Sequence, residues 1–164
     1  MPKSQRAGSA PDATELLTKD HKEVKSLFRQ YEGLAEAEAP AGERETLARL
    51  ICQLLTVHAT IEEEIFYPAV RKAMDDGDLL DEAEVEHASA KELIAQIESM
   101  KASEPLYDAK VKVLGEYIDH HVKEEEGELF PQVRRAKLDL VALGEQIGQR
   151  KAVLMAEMGI EETA

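Results

Sequence analysis

The chain has 164 residues, 43% of them apolar and 33% charged, with no tryptophan and a formal net charge of −14. That length suits one domain with a sizeable core, and the composition excludes a disordered chain. So acidic a chain repels nucleic acid and anionic membrane surfaces, and its single cysteine, Cys52, excludes an intrachain disulfide.

Residues 1–12, MPKSQRAGSAPD, are polar, carry Gly and Pro, and read as a flexible tail before a domain expected over 13–158. Asp12 followed three places later by Glu15 has the form of a capped helix start, and that helix should run to about Ala35. APAG (39–42) is a turn. A second helix is expected from about Glu43 to Tyr67, where Pro68 should kink or break it. AVRKAM continues it to the turn DDGD at 75–78. A third helix should span about 80–102, and SEP (103–105) should cap a fourth over about 106–130, ending before Pro131. A fifth is expected over 138–158. Apolar residues recur at helical spacing, as in Leu17, Val24, Phe28 and Tyr31, or Leu47, Ile51, Leu54, Ile61 and Ile65. The pattern predicts an all-α fold, an antiparallel up-down four-helix bundle with the fifth helix alongside. Leu50, Ile51, Leu54 and Leu55 around Cys52 predict a buried thiol. No apolar run approaches transmembrane length and no signal-peptide core opens the chain, so the expected location is cytoplasmic.

Each core-facing stripe contains one histidine. His21 lies between Leu17 and Val24, His58 between Leu54 and Ile61, His87 between Ala83 and Ala90, and His121 beside Ile118 and Val122. In an antiparallel bundle, equal offsets from a shared loop mean equal height. His21 and His58 both lie about 15 residues, or roughly 22–24 Å, from the turn between their helices, and His87 and His121 are similarly matched. All four imidazoles should therefore meet in one layer.

The stretches HATIEEEIFYP (58–68) and HVKEEEGELFP (121–131) repeat one phrase. In each, a glutamate follows the histidine by four places and so shares its helix face: Glu62 with His58, Glu125 with His121. Two carboxylates facing the core without cations are costly, and no Lys or Arg falls in the stripes at that level. A metal resolves the cost, and four imidazoles with two carboxylates suit two metals bridged by glutamate. The donor set favours iron, with manganese or zinc as alternatives. Glu63, Glu64, Glu124 and Glu126 read as a solvated face, and His120 as a spare. Glu126 replaces Glu125 as a ligand only if the fourth helix is over-rotated. Tyr67 and Phe130 read as residues that close the core or line a route to the metal.

The set His21, His58–Glu62, His87 and His121–Glu125 resembles the hemerythrin-like HHE cation-binding domain. The phrases DHKEVKSLF (20–28), HATIEEEIFYP and HHVKEEEGELFP (120–131) carry the likeness, with LGEQIGQRK (143–151) in support. The resemblance implies a four-helix bundle around a non-haem di-iron centre, with the four histidines as terminal ligands and Glu62 and Glu125 bridging. It also implies an oxo, hydroxo or water bridge. The sequence departs from the five-histidine oxygen carriers of the family: Ala83 stands four places before His87, and Lys91 four after. That departure favours reactions of oxygen, peroxide or nitric oxide at an open site over simple oxygen carriage. The expected partners are a small diatomic ligand or peroxide, with no nucleic acid and no membrane, in a stand-alone monomer or homodimer. Three roles fit these residues: sensing or scavenging by ligand binding, di-iron enzymology such as peroxide disproportionation or nitric oxide reduction, and storage or donation of iron.

Overall fold

The computed structural model describes residues 10–74 and 77–160. Most of the expected tail and part of the 75–78 turn lie outside the described residues. Among the described residues the chain is helical, with no strand.

Helix α1 (Ala13–Glu36) opens with the expected capping box: Asp12 accepts from the Glu15 N–H at 3.0 Å, and Glu15 accepts from the Asp12 N–H at 3.1 Å. The turn lies at 37–38, earlier than expected, and helix α2 (Ala41–Ile61) begins within the stretch 39–42, with Pro40 at its N-cap. Pro68 does not break this rod. A π-helical turn, Glu62–Phe66, inserts one residue, and the chain continues without a break into α3 (Tyr67–Ala73) with Pro68 in its first turn. Proline has no N–H to donate, and its ring clashes with the carbonyl four places back in a regular helix. The wider i→i+5 turn, closed by the Tyr67 N–H on the Glu62 carbonyl, relieves both problems. The second phrase does the same. After α4 (Asp78–Glu98), helix α5 (Tyr107–Glu124) passes through a π-helical turn, Glu125–Leu129, into α6 (Phe130–Arg135), with Pro131 in its first turn. The fourth rod therefore runs on to Arg135, beyond the expected end.

Ser103 does not cap α5. Leu106 precedes that helix in the left-handed region at φ 75° without a side-chain cap, and Glu104 instead accepts from the Lys101 N–H. Helix α7 (Leu140–Met158) is capped by Asp139, which accepts from the Ala142 N–H at 3.0 Å, and ends on Gly159 at φ 71°.

Helices α1, α2, α4 and α5 form the bundle in that cyclic order, and α7 packs across α1 and α2. Gly144 makes that last contact close: a Cβ there would come within 2.8 Å of the Pro11 carbonyl oxygen. Leu17, Ile51, Ile61, Phe66, Leu80, Leu114 and Phe130 are fully buried, each contributing about 1.5–3 kcal/mol. At the end away from the histidines, Asp108 on α5 accepts from the Tyr31 hydroxyl (2.5 Å) and from Arg44 (2.9 Å), tying α1, α2 and α5 together.

Cys52 is 1% exposed, and burial pushes its thiol up to about 12. A thiol-specific disulfide reagent should therefore leave the folded protein unmodified over hours at pH 8 and titrate one thiol per chain in denaturant. Rapid labelling of the native protein would contradict this packing.

Candidate metal centre

The structure brings all six residues singled out in the sequence into one buried cluster. His21, His58, His87 and His121 are 7–8% exposed, Glu62 is 0% and Glu125 2%. They come from all four bundle rods, two of which supply a histidine and, one turn on, a glutamate. The ring centroids of His21 and His58 lie 4.9 Å apart, as do those of His87 and His121.

The carboxylates divide their oxygens between these two histidine pairs. Glu62 Oε2 lies 3.3 Å from His58 Nε2, while its Oε1 lies 3.1 Å from His87 Nε2. Glu125 Oε1 lies 3.1 Å from His21 Nε2, while its Oε2 lies 3.1 Å from His121 Nε2. Two donor groups result, His21/His58/Glu62/Glu125 and His87/His121/Glu62, and within each the donor atoms lie within 4.8 Å of one another.

Every imidazole is held from behind. Asp20 on α1 bonds His58 Nδ1 (2.9 Å), and Glu63 bonds His87 Nδ1 (2.8 Å). Glu86 on α4 bonds His121 Nδ1 (2.7 Å), and Glu126 bonds His21 Nδ1 (2.6 Å). An ionised carboxylate only accepts, so each Nδ1 donates and each Nε2 is turned to the centre. A carboxylate in this place fixes the ring's tautomer and orientation and raises its basicity toward a metal. Glu63 and Glu126 stay on the solvated face the sequence assigned them, their side chains 36% and 37% exposed, and each also turns one oxygen to a histidine. Glu64 stays outside, paired with Arg150 at 2.9 Å, and His120 is exposed, close to Glu124 (3.2 Å). The signal was present but unspecific: an acid precedes each lone histidine (Asp20–His21, Glu86–His87), and another follows each of Glu62 and Glu125. Lys151 on α7 neutralises Asp20 (2.7 Å) and Lys91 neutralises Glu63 (2.6 Å).

Tyr67 does more than close the core. Its hydroxyl lies 2.5 Å from Glu125 Oε2, 3.1 Å from Glu62 Oε1, 3.3 Å from His87 Nε2 and 3.4 Å from His121 Nε2. It touches the donors of the second group together with Glu125. The π-helical turn explains the placement, since the wider turn brings residues five apart onto one face. Phe130 holds the matching place in the second phrase. It has no hydroxyl, and it stacks on His21 at 6.1 Å and 8°.

The electrostatics are those of a site built around positive charge. Burial disfavours the His58 imidazolium, yet the charge of Glu62 and the hydrogen bond to Asp20 raise His58 well above the ordinary histidine range. His87 is raised too, and His121 reaches about 12, burial being outweighed by the bonds and charges of Glu125 and Glu62. Burial opposes ionisation of Glu62 as well, but the facing histidines hold it well below the usual carboxylate range. Burial and the charges of Glu62 and Glu125 push the Tyr67 phenol well above its usual range.

The residues fit a metal ion on a further observation. His21 Nε2, His58 Nε2, Glu62 Oε2 and Glu125 Oε1 are all buried without a hydrogen-bond partner, although they approach one another to within 3.1–3.3 Å. Four orphaned donors converging on one point are rare in protein interiors, and a cation satisfies all of them at once.

Comparison with known proteins agrees with this geometry. A DNA nickase from Nostoc sp. (strain PCC 7120) is 32% identical over 120 residues, which is 73% of this chain but 33% of that protein. The chain thus spans about a third of the length of that curated relative. The crystal structure of a hemerythrin HHE cation-binding domain-containing protein from Mycobacterium kansasii superposes with a TM-score of 0.74 at 26% identity, over 90% of each chain. The family profile described as hemerythrin HHE cation-binding domain matches residues 12–133. With its histidine and glutamate cluster set in a helical bundle, the chain belongs to the hemerythrin HHE cation-binding family.

Proposed function

We propose that the protein holds two iron ions between His21, His58, Glu62, His87, His121 and Glu125, and that a small molecule such as dioxygen, peroxide or nitric oxide binds at this pair. The carrying observation is that each buried carboxylate divides its oxygens between two histidine pairs. Imidazole with carboxylate suits iron. Such a pair, when bound, supplies electrons and Lewis acidity to a small ligand.

The chain's own residues give the two positions different tasks. Glu62 and Glu125 would each offer one oxygen to either position. The four acids behind the imidazoles keep the Nε2 lone pairs aimed inward and limit ring rotation. Tyr67 stands at the His87/His121 position, with its hydroxyl in reach of an ion there. Its proton is retained without a cation and lost more readily beside one. Phe130 offers no such group at the His21/His58 position, so an incoming ligand is expected on that side. Burial of the donors and the doubly anchored rings favour retention of metal over donation. DNA nicking stays with the Nostoc protein in this reading: the matched segment is a minor part of it, and a net charge of −14 opposes approach to a polyanion.

Metal analysis of the purified chain should give two ions. Glu62→Ala, which removes a donor from both positions, and His87→Ala should each fall below two, whereas an unchanged stoichiometry would remove the residue from the ligand set. The ferric protein should show a phenolate-to-iron absorption band that Tyr67→Phe abolishes; persistence of the band in that variant would place Tyr67 outside the centre. Asp20→Ala frees His58 to rotate and should weaken metal affinity by about 10–100-fold. Competition with a chromogenic chelator measures the change, and an unaltered affinity would deny Asp20 its orienting role.

A further inference from the structure

A cavity of about 130 Å³ lies on the side of the four histidines away from Glu62 and Glu125, neither of which lines it. Val24, Leu55, Ala90, Ile94 and Ile118 form its apolar wall, one or two from each rod of the bundle. Interiors are close-packed, with few voids larger than a water molecule. Small Ala90 lines it from the same buried face of α4 as Ile94. The chamber offers water little. The four Nδ1 atoms are committed to Asp20, Glu63, Glu86 and Glu126, and the Nε2 atoms approach Glu62 and Glu125 on the other side. Among the other polar residues that line it, Lys91 and Tyr117 lie at the exposed rim, and Lys91 is already paired with Glu63. Nor is it matched to a diatomic: about 10–15 Å³ of such volume holds one water, whereas a dry apolar cavity of roughly 150 Å³ accepts benzene.

We propose that this chamber binds one neutral, apolar organic molecule of about the size of benzene. Its placement beside the metal pair rests on the reading of the six ligands given above, but its binding rests on the cavity alone. Held there, the molecule lies against the imidazoles, and it competes with water and not with the metal for space.

The experiment titrates benzene into the full chain, metal-free and loaded with Co²⁺, and follows heat by calorimetry and the methyl resonances of Leu55, Ile94 and Ile118 by NMR. Saturable binding of one benzene per chain with shifts centred on those methyls is expected in both forms. Ala90→Leu fills the chamber and should weaken binding roughly tenfold or more while leaving helicity and Co²⁺ stoichiometry unchanged. No saturable binding to the parent chain, or shifts confined to surface methyls, would overturn the proposal without any variant. Undiminished binding in a folded Ala90→Leu chain would do the same. Benzene binding without Co²⁺ uptake supports the chamber and refutes the metal centre; Co²⁺ uptake without benzene binding does the reverse.

Discussion

Two carboxylates sit on the axis of an otherwise apolar bundle, and the surrounding arrangement answers to them. Glu62 and Glu125 are almost wholly shielded from water. An ionised group so placed costs several kcal/mol unless opposite charge and hydrogen bonds surround it. The chain surrounds the pair with four imidazoles at one level, then backs each imidazole with an acid, then sets Lys151 and Lys91 against two of those acids. Charge thus alternates outward from the centre along the Asp20 and Glu63 spokes. The central negative charge favours the protonated forms of His58, His87 and His121, and a bound cation would answer the same charge.

Much of this was legible in the sequence because helical periodicity converts position into direction. The stripes fix which way each histidine points, the loop offsets fix its height, and the HxxxE spacing sends Glu62 and Glu125 inward with it. Glu63 and Glu126 were not legible in the same way. One residue beyond an inward glutamate lies about 100° round the helix, which looks like solvent until a neighbouring helix brings a histidine edge there. Asp20 and Glu86 were hidden for the same reason, since their partners are residues of the next helix. Pro68 and Pro131 misled as helix terminators because nothing in a proline distinguishes a break from a π-helical turn that accommodates it. Ser103 looked like a cap by composition, but the backbone turns at Leu106 instead.

The repeated phrase also explains an asymmetry. Its two copies place matching groups around the centre, so the site is close to two-fold in its histidines, its two buried glutamates and its supporting acids. The copies differ at the ninth place after the histidine, Tyr67 in one and Phe130 in the other. That single oxygen atom sets a hydroxyl against the Glu62, Glu125, His87 and His121 donors, where the His21 side has only a phenyl ring. A nearly symmetric scaffold thereby acquires two chemically different sides through one hydroxyl.

The supporting acids have a mechanical consequence as well. Asp20 runs from α1 to His58 on α2, Glu63 from the end of α2 to His87 on α4, Glu86 from α4 to His121 on α5, and Glu126 from the end of α5 back to His21 on α1. The links close on themselves like a hoop round barrel staves. No stave can turn about its own axis without straining the joint on either side, so the bundle keeps its register even before it is loaded, and damage to one joint is felt around the whole circumference.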